Sequence, residues 1–357
     1  MRKFDTVLVT GGCGFIGTNF IKYIFDKTSY DIKVINIDDL TYAGNIKNLI
    51  DIENKYKDRY YFERVNICDA KKVNSIFQKY KPDCVVHFAA ESHVDRSIFG
   101  PKDFIETNII GTFILLEAAR NLWKYNIYGK LFHHISTDEV YGSLSDTGYF
   151  YETTAYDPRS PYSASKASSD HIVKAYYHTY NLPVTISNCS NNYGPYQFPE
   201  KLIPLMILNI IEEKDLPVYG DGKNIRDWIF VEDHNNAVFD IIHNGRVGET
   251  YNIGGENEMT NIDMVNTLCE KLAYKMNKEK NYYKKLIKFV KDRAGHDRRY
   301  AINCEKIKNE LGWKRQYDFN TAIDITIDWY LNNKEWIYDV KSGEYKKWIE
   351  LNYSNSL

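Results

Sequence analysis

Long apolar runs and strong net charge are both missing from this chain of 357 residues. The most apolar stretch, Leu202 to Ile211, contains Pro204 and Asn209 and is too short to span a bilayer, so we expect no membrane attachment. A formal net charge of −2 gives no reason to expect nucleic acid as a partner. The first residues lack the apolar core of a secretory signal, and we therefore expect a cytoplasmic protein.

Paired cysteines and clustered metal ligands are also missing. The six cysteines are scattered without a C-x-x-C pair, which favours reduced structural thiols over disulfides. His133 and His134 are adjacent on an apparent strand and would point to opposite faces, which argues against a shared metal. We predict no metal site.

What the chain does contain is an alternation of short apolar runs and helical stretches. The runs lie near 6–10, 33–37, 60–67, 84–89, 131–137 and 183–188. This pattern predicts an α/β fold with a doubly wound, mostly parallel sheet of the Rossmann type. After about Asn191 the pattern becomes irregular, although Glu249–Ile253 resembles a strand that returns to the sheet, so we expect a smaller, discontinuous second lobe.

A glycine-rich turn, Gly11-Gly-Cys-Gly-Phe-Ile-Gly17, follows the first strand and opens a helix that runs to about Asp26. Strand, glycine turn and helix are the context of a dinucleotide site, in which backbone amides approach a pyrophosphate at the helix N-terminus. By itself, such a cluster is equally typical of a tight turn. The second strand ends in Asp38, which suits a ribose hydroxyl, and Asp38 with Asp39 would repel a 2′-phosphate, favouring NAD over NADP.

The strongest catalytic pattern is Ser136-Thr-Asp-Glu-Val-Tyr-Gly142 followed by Tyr162-Ser-Ala-Ser-Lys166. Asp138 and Glu139 end a predicted strand, at the sheet edge where open α/β sheets bind ligands. Tyr162 and Lys166 share a helix face, and a nearby ammonium would lower the phenol pKa and make a general base. Alone, the acidic pair is more typical of a helix cap or a solvated loop, but all three patterns end successive strands of one fold.

Basic residues in the second lobe suit a phosphate-bearing ligand. Arginine forks match phosphate oxygens in bidentate fashion, and a nucleotide sugar carries a diphosphate. For the run from Lys291 to Tyr300, a solvated charged turn is the alternative. The residues concerned are Arg226, Arg293, His296, Arg298 and Arg299.

Eight motifs together carry a resemblance to a known family. They are Thr10–Gly17, Leu40–Asn45, His87–Ser97, Ser136–Gly142, Tyr162–Lys166, Asn188–Pro195, Ile225–Trp228 and Asp292–Tyr300. The chain resembles the dTDP-glucose 4,6-dehydratases, which are extended short-chain dehydrogenases/reductases, over most of residues 4 to 331. The glycine turn and Tyr-x-x-x-Lys are shared by the whole superfamily, whereas Thr-Asp-Glu and Gly-His-Asp-Arg-Arg-Tyr are much more specific.

The resemblance implies an NAD-dependent lyase that converts dTDP-glucose to dTDP-4-keto-6-deoxyglucose in deoxysugar biosynthesis, as in the dTDP-rhamnose pathway. Tyr162, assisted by Lys166 and Thr137, would deprotonate the C4 hydroxyl during C4 oxidation. Glu139 would remove the C5 proton and Asp138 would protonate the departing C6 hydroxyl, before hydride returns to C6. The implied catalytic set is therefore Thr137, Asp138, Glu139, Tyr162 and Lys166.

The resemblance also implies binding positions and domain roles. Residues 1–190, with a returning segment near 231–255, would form the NAD-binding Rossmann domain, and 191–357 mainly the sugar-nucleotide lobe and C-terminal tail. The implied cofactor positions are Gly11, Gly14, Phe15, Ile16, Gly17, Asp38, Asn66, Ile67, Ala89, Ala90, Ser92, Thr107, Tyr162, Lys166 and Asn192. The implied substrate positions are Ser92, Thr137, Asn191, Lys201, Leu202, Tyr219, Arg226, Asn261, Arg293 and His296.

Three residues depart from the family pattern. Asp39 replaces a usual lysine, which should strengthen rejection of NADP. Asn66 replaces an aspartate beside the adenine, where its amide oxygen can still accept a hydrogen bond. Ala294 replaces a proline before Gly295, which should loosen that loop.

Three alternative functions remain open at this stage. The same chemistry could act on UDP- or CDP-glucose; a sugar-nucleotide 4-epimerase would need no acid/base pair for C5 and C6; and an NAD-binding scaffold would need no catalytic set.

We also expect a homodimer, because apolar stripes on the helices near 101–125 and 162–180 resemble a pair that forms an intersubunit four-helix bundle. Phe104, Ile105, Ile109, Thr112, Leu115, Leu116 and Ala119 form the first stripe.

Overall fold

A seven-stranded parallel sheet organises the first part of the chain in a computed structural model that describes residues 1–341. The strands are β1 Thr6–Thr10, β2 Lys33–Asp38, β3 Tyr60–Arg64, β4 Cys84–His87, β5 Leu131–Thr137, β6 Val184–Cys189, β7 Asn191–Tyr193, β8 Leu216–Tyr219, β9 Ile225–Phe230, β10 Thr250–Ile253, β11 Glu258–Thr260 and β12 Ile287–Val290. The large sheet has the order β10-β6-β5-β4-β1-β2-β3. The predicted Rossmann-type α/β fold is confirmed.

Helices cover both faces of this sheet and build the second lobe. They are α1 Phe15–Lys27, α2 Ile50–Lys55, α3 Ala70–Tyr80, α4 Val94–Phe99, α5 Pro101–Phe104, α6 Thr112–Trp123, α7 Pro161–Tyr180, α8 Leu202–Ile211, α9 Val231–Asn244, α10 Asn261–Lys275, α11 Glu305–Leu311, α12 Phe319–Asn332 and α13 Lys334–Lys341. Short 3₁₀ segments lie at Ile46–Leu49, Asp138–Tyr141 and Tyr282–Leu286, and a π-helix at Ile105–Gly111. Within residues 1–341, no helix combines the length and apolarity needed to cross a membrane.

Side chains of the central strand β1 point alternately to the two faces of the sheet, and helices cover both faces. Val7 and Val9 pack in the core on the face that carries α1 and α9, whereas Leu8 packs in the core on the face of α3, α6 and α7. All three side chains are fully buried. A strand buried on both faces is expected in a parallel sheet, because crossover helices cover each side.

The second lobe has its own core around two small sheets. β11, β9 and β7 form one, in which β9 pairs antiparallel with β11, and β12 pairs parallel with β8 in the other. Ile207 from α8, Leu268 from α10 and Ile323 from α12 are fully buried between them.

Two segments return from the second lobe to the large sheet. The expected return of Glu249–Ile253 is confirmed, since β10 pairs parallel with β6. Tyr300, Ile302 and Trp313 also pack into the core of the first lobe, a return that the sequence pattern did not indicate. The predicted division into two domains remains a prediction, and the part of the predicted tail from 342 to 357 lies outside the described residues.

The helix expected from Pro101 to about Asn126 is divided by the π-helix at Ile105–Gly111 and ends at Trp123. Two close contacts accompany the division. A Cβ placed on Gly111 would lie 2.5 Å from the Ile67 side chain, and the Asn108 side chain donates to Glu91 O and to Ser165 Oγ. π-Bulges of this kind occur frequently at functional sites.

The apolar stripe predicted on these helices faces mostly inward. Phe104, Thr112, Leu115, Leu116 and Ala119 are all buried within the protomer. The large apolar side chains that α4 to α6 leave on the surface are Ile98, Phe99, Ile105, Ile110 and Phe113. The outward apolar face is therefore offset from the stripe that the sequence suggested.

Candidate active site

A cleft of about 430 Å³ opens at the carboxyl ends of β1, β2, β4, β5 and β6 and extends to the second lobe. Its wall includes every residue that the family resemblance implied for binding or catalysis: Gly11, Gly14, Phe15, Ile16, Gly17, Asp38, Asn66, Ile67, Ala89, Ala90, Ser92, Thr107, Thr137, Asp138, Glu139, Tyr162, Lys166, Asn191, Asn192, Lys201, Leu202, Tyr219, Arg226, Asn261, Arg293 and His296. Among residues 1–341, no group of His, Cys, Asp or Glu side chains is arranged to hold a metal.

The glycine turn at the end of β1 is packed too closely for side chains. Gly11 has φ +69°, and a Cβ there would lie 2.7 Å from the Ala89 backbone nitrogen. A Cβ on Gly17 would lie 2.3 Å from Gly11 O. The turn leads directly into α1, whose first-turn N–H groups have no intrahelical acceptor and whose N-cap Gly14 provides no side-chain cap. This arrangement fits an anionic pyrophosphate.

Asp38, at the end of β2, is buried and holds the glycine turn in place. Its Oδ2 accepts a hydrogen bond from Cys13 N at 2.9 Å, and its Oδ1 accepts one from Leu40 N at 2.8 Å. Burial raises the pKa of this carboxyl, and the two backbone donors oppose that rise. Each carboxylate oxygen keeps a further lone pair that could accept a ribose hydroxyl.

Two of the three residues that depart from the family pattern contact one another. Asn66 Nδ2 donates to Asp39 Oδ2 at 2.8 Å, and Asn66 Oδ1 accepts from Cys68 N at 2.8 Å. The amide orientation is fixed by these two bonds, because only the oxygen can accept from Cys68 N. The Asn66 oxygen therefore has one lone pair left for an adenine amino group.

The end of β5 presents two carboxyl groups with different surroundings. The Thr137 hydroxyl caps the 3₁₀ turn by accepting from Glu139 N, and Asp138 is buried with Oδ2 lacking a hydrogen-bond partner among the described residues. Burial, then Glu139 and Asp227, raise the pKa of Asp138 well above its ordinary value. These surroundings therefore favour the protonated, neutral form of Asp138.

Glu139 faces cations. Burial raises the pKa of this carboxyl above its ordinary value, and Arg293, Arg226 and Lys201 offset part of that rise. These three positive charges favour the ionised form of Glu139, in contrast to the neutral form favoured at Asp138. Neighbouring carboxyl groups with different environments are a common means of assigning an acid and a base.

Tyr162 and Lys166 are fixed by the first turns of α7. Ser160 and Ser163 form a reciprocal capping box, and Pro161 occupies the first helical position. The Tyr162 ring is buried against Val94 and Phe104. Both functional side chains therefore project from a well-ordered helix start.

The expected effect of Lys166 on Tyr162 is not found. Burial and the charge of Glu139 raise the pKa of Tyr162 well above its ordinary value, and a hydrogen bond with Thr137 offsets only part of this rise. Lys166 Nζ instead donates to Ile135 O at 2.7 Å, and burial lowers the pKa of Lys166 to about 8. Sequence spacing predicted the shared helix face but not the competing carbonyl.

Three basic residues at the far end of the cleft have polar partners within the protein. Arg293 pairs with Asp95 at 3.4 Å, and Tyr219 donates to the same Asp95 at 3.2 Å. Lys201 Nζ donates to Ser92 O at 2.7 Å. His296 pairs with Asp292, but burial lowers its pKa to about 4, so His296 is neutral near pH 7.

Two of the five basic residues proposed for phosphate binding have other partners. Arg298 forms an exposed pair with Asp221, and Arg299 forms a two-bond pair with Glu258 at 2.6 and 2.9 Å. Neither belongs to the cleft wall.

The sequence interpretation missed several polar residues of the site. Glu91, Asp95 and Glu200 line the cleft, and Asn108 joins the loop after β4 to α7. Glu91 and Asp95 lie in the motif His87–Ser97, so the motif itself was the signal that could have identified them. Glu200 follows Pro199 in an irregular segment, and no sequence pattern marked it.

Comparison with known proteins agrees with this geometry. A family model described as GDP-mannose 4,6 dehydratase matches residues 8–326. The dTDP-glucose 4,6-dehydratase 1 of Escherichia coli strain K12 is 55% identical over 362 residues, which cover 97% of this chain and 98% of that protein.

Two crystal structures are also similar over nearly the whole chain. The dTDP-glucose 4,6-dehydratase of Bacillus anthracis, in complex with NAD, is 46% identical with a TM-score of 0.83, covering 94% of this chain and 99% of that one. The Streptomyces venezuelae enzyme, with NAD and TYD bound, is 41% identical with a TM-score of 0.85, covering 93% and 98%.

The Rossmann-type sheet, the acid/base cleft and the family model define a nucleotide-sugar dehydratase of the short-chain dehydrogenase/reductase class. The identity level and the coverage narrow this class further. The chain belongs to the dTDP-glucose 4,6-dehydratase family.

Proposed function

We propose that this protein is a hydro-lyase that converts dTDP-glucose to dTDP-4-keto-6-deoxyglucose with NAD as cofactor. The observation that carries the proposal is the pair at the end of β5, where the surroundings favour the protonated form of Asp138 and three positive charges favour the ionised form of Glu139. Elimination of water between C5 and C6 needs one base and one acid close together. Asp138 and Glu139 supply both.

Bound NAD⁺ would supply the oxidant for C4 and, once reduced to NADH, the hydride that returns to C6. Tyr162 removes the proton of the C4 hydroxyl, while Thr137 hydrogen-bonds the phenol. Because burial disfavours phenolate here, a cation must lie near Tyr162 in the reacting state. Lys166, one helical turn further on, is the residue in this chain that we assign to that task.

The C4 ketone acidifies the C5 hydrogen, and Glu139 removes it. Asp138 then protonates the C6 hydroxyl as it departs as water, and Glu139 later returns a proton to C5. At the end of one cycle Tyr162 has gained a proton and Asp138 has lost one. These two groups must therefore exchange protons before the next turnover.

The reaction and the base preference are tested together by incubating the protein with dTDP-, UDP- and CDP-glucose in parallel. A 4-keto sugar develops a characteristic absorbance in alkali, and we expect this absorbance with dTDP-glucose. Strong product formation with UDP- or CDP-glucose instead would assign the same chemistry to another nucleotide. Absence of the chromophore with all three sugars would contradict the proposal.

A sugar-nucleotide 4-epimerase is the second candidate function. It would share the sheet, the cofactor and the pair Tyr162 and Lys166. It would have no use for an acid and a base side by side at Asp138 and Glu139, and this pair favours the dehydratase. An assay for C4 epimers without water loss separates the two.

We predict that Asp38 selects NAD over NADP. A carboxylate at about 4 Å from a 2′-phosphate would oppose it by about 4 kcal/mol at an effective dielectric near 20, and by less where water enters. Asp38→Ala should therefore lower the ratio of NAD to NADP affinity by about tenfold or more.

The measurement for Asp38 is cofactor affinity, with Asp58→Ala as the matched control, because Asp58 is an exposed carboxylate outside the cleft wall. Asp38→Ala also leaves Cys13 N and Leu40 N without their acceptor, so its thermal unfolding is measured alongside. An unchanged affinity ratio in a folded Asp38→Ala protein would remove this residue from cofactor selection.

We also propose that the protein is a cytoplasmic homodimer that associates through the outward apolar face of α4 to α6. Phe99 is 78% exposed and Phe113 is 43% exposed on this face. Phe113→Glu should therefore yield monomers, because the dimer would have to bury the new charge. The mass from light scattering should be twice 41.9 kDa for the wild type and 41.9 kDa for the Phe113→Glu variant.

The control for the dimer is Tyr274→Glu, since Tyr274 is 84% exposed on α10, away from this face. That variant should remain dimeric. A wild-type protein with the mass of one chain at micromolar concentration would contradict the dimer.

We finally assign roles to the two parts of the chain. Residues 1–190, with 231–255, would hold NAD, and the described part of 191–357 would mainly hold the sugar nucleotide. The product is a 4-keto-6-deoxy sugar nucleotide, which suits deoxysugar biosynthesis such as a dTDP-rhamnose pathway.

A further inference from the structure

A buried polar cluster contacts Lys166 from outside the cleft. Lys166 belongs to the cleft wall, whereas His134 and Asp170 do not. The side chains of His134 and Asp170 are both fully buried. The mechanism described above gives neither of them a task.

The three side chains form a short chain of contacts. Asp170 lies one helical turn after Lys166 on α7, so the two share a face. Asp170 Oδ1 lies 3.2 Å from His134 Nε2, and the same nitrogen lies 3.4 Å from Lys166 Nζ. His134 therefore stands between the carboxylate and the ammonium.

The second oxygen of Asp170 is firmly held. Ser136 Oγ donates to Oδ2 at 2.7 Å, and Tyr156 OH donates to it at 2.9 Å. Two hydroxyl donors favour the ionised carboxylate and fix its orientation. Oδ1 is left to face His134.

A buried ammonium needs a compensating negative charge. Within residues 1–341, no carboxylate oxygen lies within 4.0 Å of Lys166 Nζ, whose polar contacts are to Ile135 O and His134 Nε2. Burial holds the pKa of His134 well below its ordinary value, so the imidazole is neutral. Asp170 is the principal negative charge that acts on Lys166.

We propose that Asp170 is a positioning residue for the reaction, whose carboxylate charge acts across the neutral His134 to stabilise the protonated Lys166 in the cleft wall while Tyr162 exchanges its proton. This inference rests on the function proposed above. It assigns a task in the reaction to a residue that contacts neither substrate nor cofactor.

Apart from Lys174, the other titratable groups near Lys166 and Asp170 are uncharged near neutral pH. Burial keeps the imidazole of His87 neutral, raises the pKa of the Cys189 thiol to about 12 and raises that of the Tyr156 phenol further. Lys174 is the remaining cation that acts on Asp170. The titratable groups that face the pair from β4, β5, β6, the loop before α7 and α7 itself are His87, His134, Cys189, Tyr156 and Lys174.

The test is the pH dependence of turnover in Asp170→Asn, in particular its alkaline limb, where activity falls as the pH rises. Burial lowers the pKa of Lys166 to about 8, and Asp170 opposes that fall. Loss of the carboxylate should therefore lower the pKa further, so that activity is lost at a lower pH than in the wild type. We expect the limb to move down by about one pH unit.

A second measurement determines the pKa of Lys166 without relying on turnover. Competitive acetylation with acetic anhydride, followed by mass spectrometry of the Lys166 peptide, gives the pKa of this amine in the whole protein. The same downward shift is expected in Asp170→Asn. If that variant does not fold, Asp170→Ser, which is smaller and also neutral, should give the shift.

Two further variants separate charge from structure. Ser136→Ala removes one hydrogen bond to Asp170 but keeps the carboxylate, whose pKa is about 6, so the alkaline limb should stay in place. Asp170→Glu restores a negative charge and should return the limb toward the wild-type position. A merely structural role would lower stability in Asp170→Asn and Ser136→Ala alike, with no selective shift.

The outcomes distinguish this inference from the proposed function. An unmoved limb and an unmoved labelling pKa in folded Asp170→Asn would overturn the inference while wild-type turnover upholds the function. A wild type without turnover would overturn the function, and the labelling shift would still decide whether Asp170 controls the charge of Lys166.

Discussion

Replacing Tyr162 with phenylalanine should lower turnover of dTDP-glucose by roughly 10²- to 10⁴-fold, the usual contribution of a general acid/base group. The substitution removes only the hydroxyl that exchanges a proton with the C4 oxygen. The ring keeps its place against Val94 and Phe104, so folding and NAD affinity should change little.

The matched control is Tyr180→Phe, at the exposed end of the same helix α7. It removes the same atom from the same residue type and should leave turnover unchanged. Turnover is followed by the keto-sugar absorbance in alkali, and NAD affinity by titration. Near-normal turnover in Tyr162→Phe would remove this residue from the mechanism.

The fold was predictable wherever the hydrophobic pattern and the sheet agree. β1, β2 and β5 lie where the sequence placed them, because nearly every residue of these strands is buried on one face of the sheet or the other. β3 and β4 are shorter than expected, since Ile67 and Ala89 leave the sheet and line the cleft. A run of apolar residues does not distinguish a strand from the loop that continues it.

The π-helix at Ile105–Gly111 could not be predicted from periodicity. Its contacts are tertiary: Asn108 bonds the loop after β4 and also α7, and Gly111 lies against Ile67. These partners are remote in sequence, so no local pattern records them.

The members of the site were predictable, but their charge states were not. Chain spacing placed Tyr162 and Lys166 on one helix face, yet the pKa of Tyr162 is raised because burial and Glu139 outweigh its other neighbours. Likewise, the sequence marked Asp138 and Glu139 as a pair. Burial raises the pKa of both, and only the negative neighbours of Asp138 and the positive charges that act on Glu139 distinguish an acid from a base.

That separation leads to the second large effect. Glu139→Gln removes the base for C5 and should lower product formation by roughly 10²- to 10⁴-fold. Tyr162 is retained, so substrate should still partly reduce bound NAD⁺, which is visible in the absorbance of the reduced nicotinamide. Deuterium from solvent should fail to enter C5.

Asp138→Asn should behave differently. The amide keeps a hydrogen-bond donor but cannot deliver a proton to the departing C6 hydroxyl. Loss of water should therefore slow, while Glu139 continues to exchange the C5 proton with solvent. The two variants should differ in kind: one stalls before C5 exchange, and the other stalls after it.

Glu279→Gln is the matched control, because Glu279 is an exposed glutamate outside the cleft wall. It should change neither turnover nor exchange. Full formation of the 4-keto-6-deoxy product in both Glu139→Gln and Asp138→Asn would contradict the dehydratase mechanism. So would a wild-type enzyme that interconverts C4 epimers without losing water, since an epimerase requires neither a base for C5 nor an acid for the C6 hydroxyl.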